Sequence, residues 1–580
     1  MARARAGHVA VPLLDGTVLM VGGADFPVTC QPGGTMVSPR ADHVATMLGN
    51  GKVLLEGGRN PTTNTAELYD PSTGQFSALP NMATYHGNTR HDVLLPNGKV
   101  LIAGPATRAE LFDPGANTFT EVGNMTAPRW AYGAALLQSG NVLIVGGDGN
   151  PPLASAELFD PATGTFTATG SMSIGRSTPF CVALADGRVL VGGGDNQNGI
   201  EASAEIYDPS TGDFTPTGNM TNPRNAAGAM LLLDGKVLVF GGSDSNGALL
   251  TAEIYDPVAG TFTPTTGAMT AAHGSQTTSV RLADGRVLIA AVYAQTLASI
   301  EIYDPATQTF AYVGNMATNR NQPTVTLLPN GKVLLTGGLG DANAPLQTAE
   351  LFDPSVPYVQ PAEELYDPSA DTFADTGSML QLRQKCAAVA LADGTVLVIG
   401  GQSPGGPTAN AEIYDPTAGT FTATGAMATP RQIQSVTNGR APFTATLLPN
   451  GQVIVTGGTD ITGYPVASAE LYDPTSGTFS PAASMAVLRS NHTATPLSDG
   501  RLLIAGSVGT PDVRCEIYDP STGSFTITGS MVQPRECHGA NLLRDGTVLV
   551  EGGNTTSGIL SPTDTAEIYD PTIGHWGAVP

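Results

Sequence analysis

The chain has 580 residues, a net charge of −24 and 41% hydrophobic residues, so it is too long for one ordinary core and too apolar to be disordered. The acidic balance opposes binding to a phosphate backbone, so nucleic acid is not expected as a partner. The sequence contains no run of about 18 apolar residues, so we expect no membrane insertion.

One complete repeat begins at Asn225 and shows how the chain is built. Alanine, methionine and leucine residues lead to Asp234-Gly235, a pair that favours a two-residue hairpin turn. The following stretch, Val237–Phe240, is continuously apolar, as expected of a strand that is covered on both faces. The doublet Gly241-Gly242 ends this strand. These features predict the first two strands of an antiparallel sheet.

The second half of the same repeat adds two strands. Thr251–Tyr255 predicts a third strand, Asp256-Pro257 opens a turn, and a fourth strand begins at Thr261. Four short antiparallel strands form one blade of a β-propeller. An internal repeat of this length is the sequence signature of such an array.

Two signatures recur through the chain, each twelve times. The first is the apolar second strand, usually followed by two glycines, which starts at Val18, Val53, Val100, Val142, Val189, Val237, Val287, Val333, Val396, Val453, Leu502 and Val548. The second is Glu-aliphatic-aromatic-Asp-Pro, which starts at Glu67, Glu110, Glu157, Glu205, Glu253, Glu301, Glu350, Glu364, Glu412, Glu470, Glu516 and Glu567. With these motifs the sequence resembles bacterial kelch-repeat proteins and, more distantly, the propeller of the galactose-oxidase group. The resemblance implies an all-β kelch-type β-propeller of twelve four-stranded antiparallel blades.

The division of the blades is less regular than the motifs. The first blade lacks the Glu-aromatic motif, whereas the eighth has two copies, at Glu350 and Glu364. Because no second-strand signature lies between these copies, we expect one of them to be an insertion. We predict two six-bladed propellers, residues 1–270 and 271–580, with one large ring as the alternative.

A basic residue stands four positions after a recurrent methionine in eleven repeats. Since every blade repeats this column, we expect each arginine to pair with a motif glutamate or to cap backbone carbonyls; the alternative is a basic ring for an anionic ligand. The arginines of this structural column are Arg40, Arg129, Arg176, Arg224, Arg320, Arg383, Arg431, Arg489 and Arg535.

Propeller topology gives the blades two different faces. The turns between strands one and two and between strands three and four form the hairpin face. The loops between strands two and three, with the inter-blade loops, form the loop face, and they vary most in Gly340–Ala362, Ala428–Ala441, Gly458–Ser468 and Asn554–Thr565. Variable loops on a rigid scaffold usually carry recognition, so we expect binding there. The ligand-binding candidates on this face are Tyr85, His86, Trp130, Tyr132, Tyr358 and Tyr464.

These features favour a non-enzymatic binding or scaffold protein that recognises a protein or a glycan. The resemblance places it outside the cytoplasm or on the cell surface; no signal sequence is expected within Met1–Ala10, which already fits the repeat. The sequence sets no oligomeric state. We expect no cofactor: the loop carboxylates considered for Ca²⁺ lack the spacing of a calcium loop, namely Asp148, Asp195, Asp244, Asp341 and Asp460.

The resemblance to the galactose-oxidase group implies an alternative, a copper-radical oxidase. That group uses a tyrosine cross-linked to cysteine and further tyrosine and histidine ligands. Tyr85-His86, Tyr132 and Cys537-His538 supply such residue types, but Tyr132 and Cys181 follow the reverse chain order. We therefore expect no enzymatic activity, and we expect buried free thiols at the five cysteines. The histidine column is expected to serve packing: His8, His43, His492 and His538.

Overall fold

The computed structural model describes most of the chain, namely residues 9–21, 29–58, 64–85, 92–104, 107–270, 278–290, 299–340, 344–358, 362–403, 406–431, 443–460, 464–507, 513–555 and 563–579. Within these ranges the chain forms strands and turns, and it has no helix that could cross a membrane. The predicted all-β fold of four-stranded antiparallel blades is confirmed.

Residues Pro27–Tyr358 form one compact unit, the seven-blade unit. Its seven sheets are named A to G in the chain order of their innermost strands. From the innermost to the outermost strand they are: A, Val44–Met47, Val53–Glu56, Ala66–Asp70, Gln75–Ala78; B, Val93–Leu94, Val100–Ala103, Ala109–Asp113, Thr118–Glu121; C, Gly133–Leu136, Val142–Val145, Ala156–Asp160, Thr165–Ala168; D, Phe180–Ala183, Val189–Gly192, Ala204–Asp208, Asp213–Pro216; E, Gly228–Leu231, Val237–Phe240, Ala252–Asp256, Thr261–Pro264; F, Thr278–Arg281, Val287–Ala290, Ser299–Asp304, Thr309–Asn315; G, Thr324–Leu327, Val333–Thr336, Leu346–Phe352, Cys30–Arg40.

The seven sheets of this unit form a closed circle. Innermost strands of successive blades contact each other from A to G, and the innermost strand of G contacts that of A. Each of the seven junctions contains its own apolar cluster. At the junction of G and A, for example, Leu334 packs in one cluster with Val53 and Leu55. The hydrophobic core of the unit therefore lies between blades rather than at one centre.

Pairing between the two ends of the unit closes this circle. The outermost strand of blade G is Cys30–Arg40, which precedes blade A in the chain. It runs antiparallel to Leu346–Phe352, with Cys30 opposite Phe352 and Arg40 opposite Leu346. Backbone hydrogen bonds thus join the first strand of the unit to its last sheet.

Residues Met1–Phe26 and Val359–Pro580 form the second compact unit, the five-blade unit. Its innermost strands contact one another in the order H to L. From the innermost to the outermost strand its sheets are: H, Val9–Pro12, Val18–Val21, Glu364–Asp367, Thr372–Asp375; I, Ala387–Ala390, Val396–Ile399, Ala411–Asp415, Thr420–Ala423; J, Phe443–Leu447, Val453–Gly457, Ala469–Asp473, Thr478–Pro481; K, Thr493–Pro496, Leu502–Ala505, Arg514–Asp519, Ser524–Ser530; L, Gly539–Leu542, Val548–Glu551, Ala566–Asp570, His575–Ala578.

Three short two-stranded ribbons complete the described secondary structure. Each lies in the loop between the second and third strands of its blade, in D, E and I. They pair Asp195–Asn196 with Gly199–Ile200, Ser243–Asp244 with Gly247–Ala248, and Gln402–Ser403 with Gly406–Pro407.

Blade H corrects the expected division of the chain. Its second strand pairs with a strand that is far away in sequence, with Val18 opposite Tyr366 and Met20 opposite Glu364. The motif at Glu364 is therefore the third strand missing from the first blade, and it is not an insertion. The insertion is the whole seven-blade unit, which lies between the second and third strands of blade H. The sheets divide seven and five between units that do not coincide with 1–270 and 271–580.

The Asp-Pro turns have the geometry that their sequence indicates. In blade D the Asp208 carboxylate accepts the Ser210 N–H at 2.8 Å, and Gly212 adopts a left-handed φ of +77°. Where this glycine is replaced, the substitute is left-handed as well, at Asn117, Gln308 and Asp371. The five cysteines are free, as predicted, and Cys30, Cys386 and Cys515 are buried.

The nested topology predicts which fragment folds. A fragment Pro27–Tyr358 contains every strand of blades A to G and should be monomeric, with β circular dichroism and a cooperative melting transition. The fragment 1–270 is the control, because it holds strands of blades G and H without their partners and should aggregate through these unpaired edges. A soluble, folded 1–270 together with an aggregated Pro27–Tyr358 would contradict this topology.

Candidate functional site

The arginine column forms a buried ion pair at the start of nine of the twelve blades. In blade E, Arg224 Nη2 lies 3.1 Å from Glu253 Oε1, and both side chains are buried. Arg224 Nη1 donates to the carbonyls of Gly241 and Thr251 at 3.0 and 2.7 Å. The other carboxylate oxygen of Glu253 accepts the N–H of Thr221 at 2.8 Å. The guanidinium and carboxylate therefore fasten the inter-blade loop to the second and third strands of the blade.

All nine arginines of the column make this ion pair, at 2.6–3.4 Å. The pairs are Arg40–Glu67, Arg129–Glu157, Arg176–Glu205, Arg224–Glu253, Arg320–Glu350, Arg383–Glu412, Arg431–Glu470, Arg489–Glu516 and Arg535–Glu567. Burial lowers the pKa of Arg176, Arg224 and Arg431, and the paired glutamate opposes this shift. Because these side chains are buried, the column does not present a basic ring to a ligand in solution.

The glycine doublets connect each blade to the next one through a backbone hydrogen bond. Gly194 of blade D donates its N–H to the carbonyl of Arg224 at 2.8 Å. A Cβ on the neighbouring Gly193 would lie 2.6 Å from the same oxygen, which is closer than side chains tolerate. The same bond joins Gly147 to Arg176 and Gly458 to Arg489. The doublet is therefore required by the close approach of consecutive blades.

A second column, two residues after each arginine, has a left-handed backbone. Its members in the described ranges are Asp42, Ala131, Thr178, Ala226, Gln322, Lys385, Asn491 and Cys537, with φ between +48° and +60°. Thr178 donates its N–H to the carbonyl of Ala131 at 2.8 Å, and Ala226 donates to Thr178 at 3.3 Å. Hydrogen bonds between blades thus stabilise a conformation that non-glycine residues adopt rarely. The sequence does not reveal this column, because its residue types share no chemical property.

Five of these left-handed residues surround a cavity of about 410 Å³ in the seven-blade unit. Innermost-strand residues of blades A, D, E, F and G line it further, including Phe180, Met230 and Val325. Asp42 and Gln322 supply polar groups at this ring, whereas Ala131 and Ala226 supply small apolar ones. The cavity can therefore accept a narrow group with both polar and apolar surface.

Trp130 lies on the loop face and directly precedes Ala131, which lines this cavity. It is 41% exposed, although it lies between the buried Arg129 and Tyr132, which also lines the cavity. The Tyr132 hydroxyl donates to the carbonyl of Ala103 at 2.6 Å, and the N–H of Asp148 donates to the carbonyl of Trp130 at 2.7 Å. The backbone that carries the exposed indole is thus held on both sides.

The loop carboxylates bind neighbouring protein groups. Ser177 donates to Asp148, and Asn225 donates to Asp195 at 2.9 Å across successive blades. Asp244 accepts an N–H within its own loop, and so does Asp460. Asp341 lies outside the described residues. Within the described ranges, no group of three His, Cys, Asp or Glu side chains is placed to hold a metal ion.

The structure places the other candidates in different surroundings. Tyr464 is 72% exposed and belongs to the five-blade unit. Tyr358 packs edge-on against Tyr312 with ring centroids 5.3 Å apart, and Tyr85 is half-buried. His86 lies outside the described residues. The expected variable loop Gly340–Ala362 is wrong in part, because Leu346–Phe352 within it is a strand of blade G.

The histidine column serves packing, as predicted. Across two junctions, His43 Nε2 lies 2.9 Å from Thr336 Oγ1, and His538 Nε2 lies 2.9 Å from Thr493 Oγ1. His492 contacts Thr456 at the same distance. Burial lowers the pKa of His43 and His492 to about 3, so these rings are neutral at pH 7. His8 lies outside the described residues.

The residues considered for copper chemistry are only partly brought together. Tyr132 and Cys181 line the same cavity, but burial raises the pKa of the Cys181 thiol to about 12. Tyr85 and Cys537 belong to different units. The described residues therefore provide no argument for a copper-radical site.

Comparison with known families gives a result in each unit. The kelch motif family matches residues 225–267, which cover blade E, and residues 385–427, which cover blade I. Both stretches contain a glycine doublet and a Glu-aromatic-Asp-Pro motif, and both fold into four-stranded sheets. The chain is a kelch-repeat β-propeller protein. Kelch propellers commonly bind other proteins. No curated protein matches the chain.

The buried ion pair of kelch blade E predicts that truncating one side chain lowers the stability strongly. Arg224→Ala leaves Glu253 buried without its cation and should lower the free energy of unfolding by about 3–5 kcal/mol. Arg188→Ala is the control, because the exposed pair with Asp186 is worth roughly 0–1 kcal/mol. Chemical denaturation of both variants measures the difference. If both variants lose the same small amount of unfolding free energy, the buried pair does not stabilise the blade.

Proposed function

We propose that this kelch protein is a non-enzymatic binding protein that engages a protein partner on the loop face of its seven-blade unit. The observation that carries the proposal is the exposed indole of Trp130, whose neighbours Ala131 and Tyr132 line a cavity of about 410 Å³. A rigid, exposed tryptophan is a frequent hot spot in protein interfaces, because its large surface is desolvated with little loss of conformational freedom.

The hairpin face offers less to a partner. Its turns repeat one arrangement, in which an aspartate caps the backbone two residues later, as Asp208 and Asp256 do. The loop face differs from blade to blade, with ribbons in D and E and an exposed aromatic before C. Specific recognition requires such differences, which supports the loop face as the binding surface.

A protein partner fits this surface better than a glycan. Kelch propellers commonly bind proteins, and the cavity lined by Ala131 and Ala226 combines these small apolar residues with the carboxylate of Asp42, which suits a protruding side chain. A glycan remains the other class of ligand, since an indole also stacks on sugar rings. The experiment below separates the two classes.

Trp130→Ala should weaken binding of the partner without destabilising the fold. An exposed hot-spot tryptophan contributes about 2 kcal/mol, which is roughly a 30-fold rise in Kd. A photo-crosslinking amino acid at position 130 should attach to a protein that the intact chain binds, and calorimetry with that purified protein then measures Kd for both forms.

Val258 is the control position, because it is exposed on the hairpin face. A crosslinker placed there should attach to nothing specific, and Val258→Ala should leave Kd unchanged. Equal Kd values for Trp130→Ala and the unchanged chain would refute the proposal, and binding on a glycan array that depends on Trp130 would replace the protein partner by a sugar. Measuring Kd for Tyr464→Ala tests separately whether the five-blade unit contributes to binding.

A further inference from the structure

The junction between blades A and B differs in one position from the junctions that follow blades G and J. The second strand of blade G ends at Thr336, which hydrogen-bonds to His43 of blade A. The second strand of blade J ends one residue after Thr456, which makes the same contact with His492. Blade A has Glu56 in place of Thr336. A carboxyl group thus occupies a site that neutral hydroxyl and imidazole groups fill elsewhere.

Glu56 is closed off from water. Its side chain is 1% exposed, and within the described ranges no hydrogen-bond donor reaches either of its carboxyl oxygens. Its neighbour is another carboxyl, that of Asp92, which directly precedes the innermost strand of blade B and lies within hydrogen-bond reach. Asp92 Oδ2 is buried and also has no donor among the described residues.

Among the described residues, the other charged or polar groups that face this pair make contacts elsewhere. Arg40 uses its guanidinium for Glu67 and for backbone carbonyls of blade A. Glu110 of blade B accepts backbone N–H groups from the inter-blade loop. Tyr132 of the next loop donates its hydroxyl to the carbonyl of Ala103. The charge of Arg40 opposes the effect of burial on the pKa of Glu56, but none of these three groups donates a hydrogen bond to the Glu56 carboxyl.

Two ionised carboxyls in such a place repel each other strongly, whereas one proton between them replaces the repulsion by a hydrogen bond. We propose that Glu56 and Asp92 share one proton, and that its release to solvent at rising pH loosens the junction between blades A and B. The pair then stabilises the junction between blades A and B only while it holds the proton.

The direction of the pH effect follows from burial. Burial raises the pKa of Glu56 well above its usual value and that of Asp92 to about 7. The unfolded chain loses these protons near pH 4, roughly the value of free carboxyls. The folded unit therefore holds a proton that the unfolded chain has lost, and its stability falls as the pH rises from about 4 through about 7.

Glu56→Gln in the full chain tests the proposal, because glutamine can donate to Asp92 at every pH. Between pH 6 and pH 9, the hydrogen-exchange protection factors of the strand Val100–Ala103, which compare the observed rate with the intrinsic rate at each pH, should fall in the unchanged protein and stay constant in Glu56→Gln. Infrared spectra should show the carbonyl band of a buried carboxylic acid at pH 6 in the unchanged protein and not in the variant.

Glu551→Gln is the matched control, since Glu551 ends the second strand of blade L in the same motif but is exposed. It should behave as the unchanged protein. If Glu56→Gln folds poorly, Asp92→Asn replaces it as the test, and its protection factors should show the same lack of pH dependence. Parallel exchange profiles for the unchanged protein and Glu56→Gln would overturn the proposal. Stabilisation of the unchanged protein by Ca²⁺, absent in Glu56→Gln, would also overturn it in favour of a bound cation.

Discussion

The buried pair of arginine and glutamate at the start of nine of the twelve blades is the interaction on which both units depend. The pair satisfies backbone carbonyls and N–H groups of three segments at once, as Arg224 and Glu253 show. The arginine carbonyl then accepts a hydrogen bond from the glycine doublet of the preceding blade. An ion pair in such a place is stable only when all its partners are present, so it fixes the relative position of consecutive blades.

Because nine of the twelve blades carry the same ion pair, the chain can interrupt one array of blades and complete another. Blade H is assembled from two segments separated by the whole seven-blade unit, and blade G from the two ends of that unit. Both closures use ordinary antiparallel pairing. A repeat protein gains its stability from neighbour contacts, and these contacts do not require that neighbours adjoin in sequence.

Function depends on the places where the blades differ. The ion pairs, aromatic turns and buried histidines are repeated, and they carry the fold. Among the described residues, Trp130 and the Glu56–Asp92 pair are features that the other blades do not repeat: Trp130 is exposed on the loop face, and Glu56 is buried at a junction. The first suits recognition, because it combines exposure with a rigid backbone. The second suits a response to pH, because it has no neutralising partner among the described residues.

The sequence by itself determined the blade, the count of twelve, the structural nature of the arginine column and the left-handed turn position of Gly212, because these depend on contacts within one repeat. It also brought Trp130 forward, as an aromatic outside the pattern. Only the tertiary structure decided that Glu364 completes the blade begun at Val18, that Tyr358 packs on Tyr312, and that Glu56 meets Asp92. These facts concern pairings between distant segments, and the motifs of one repeat are equally compatible with several such pairings.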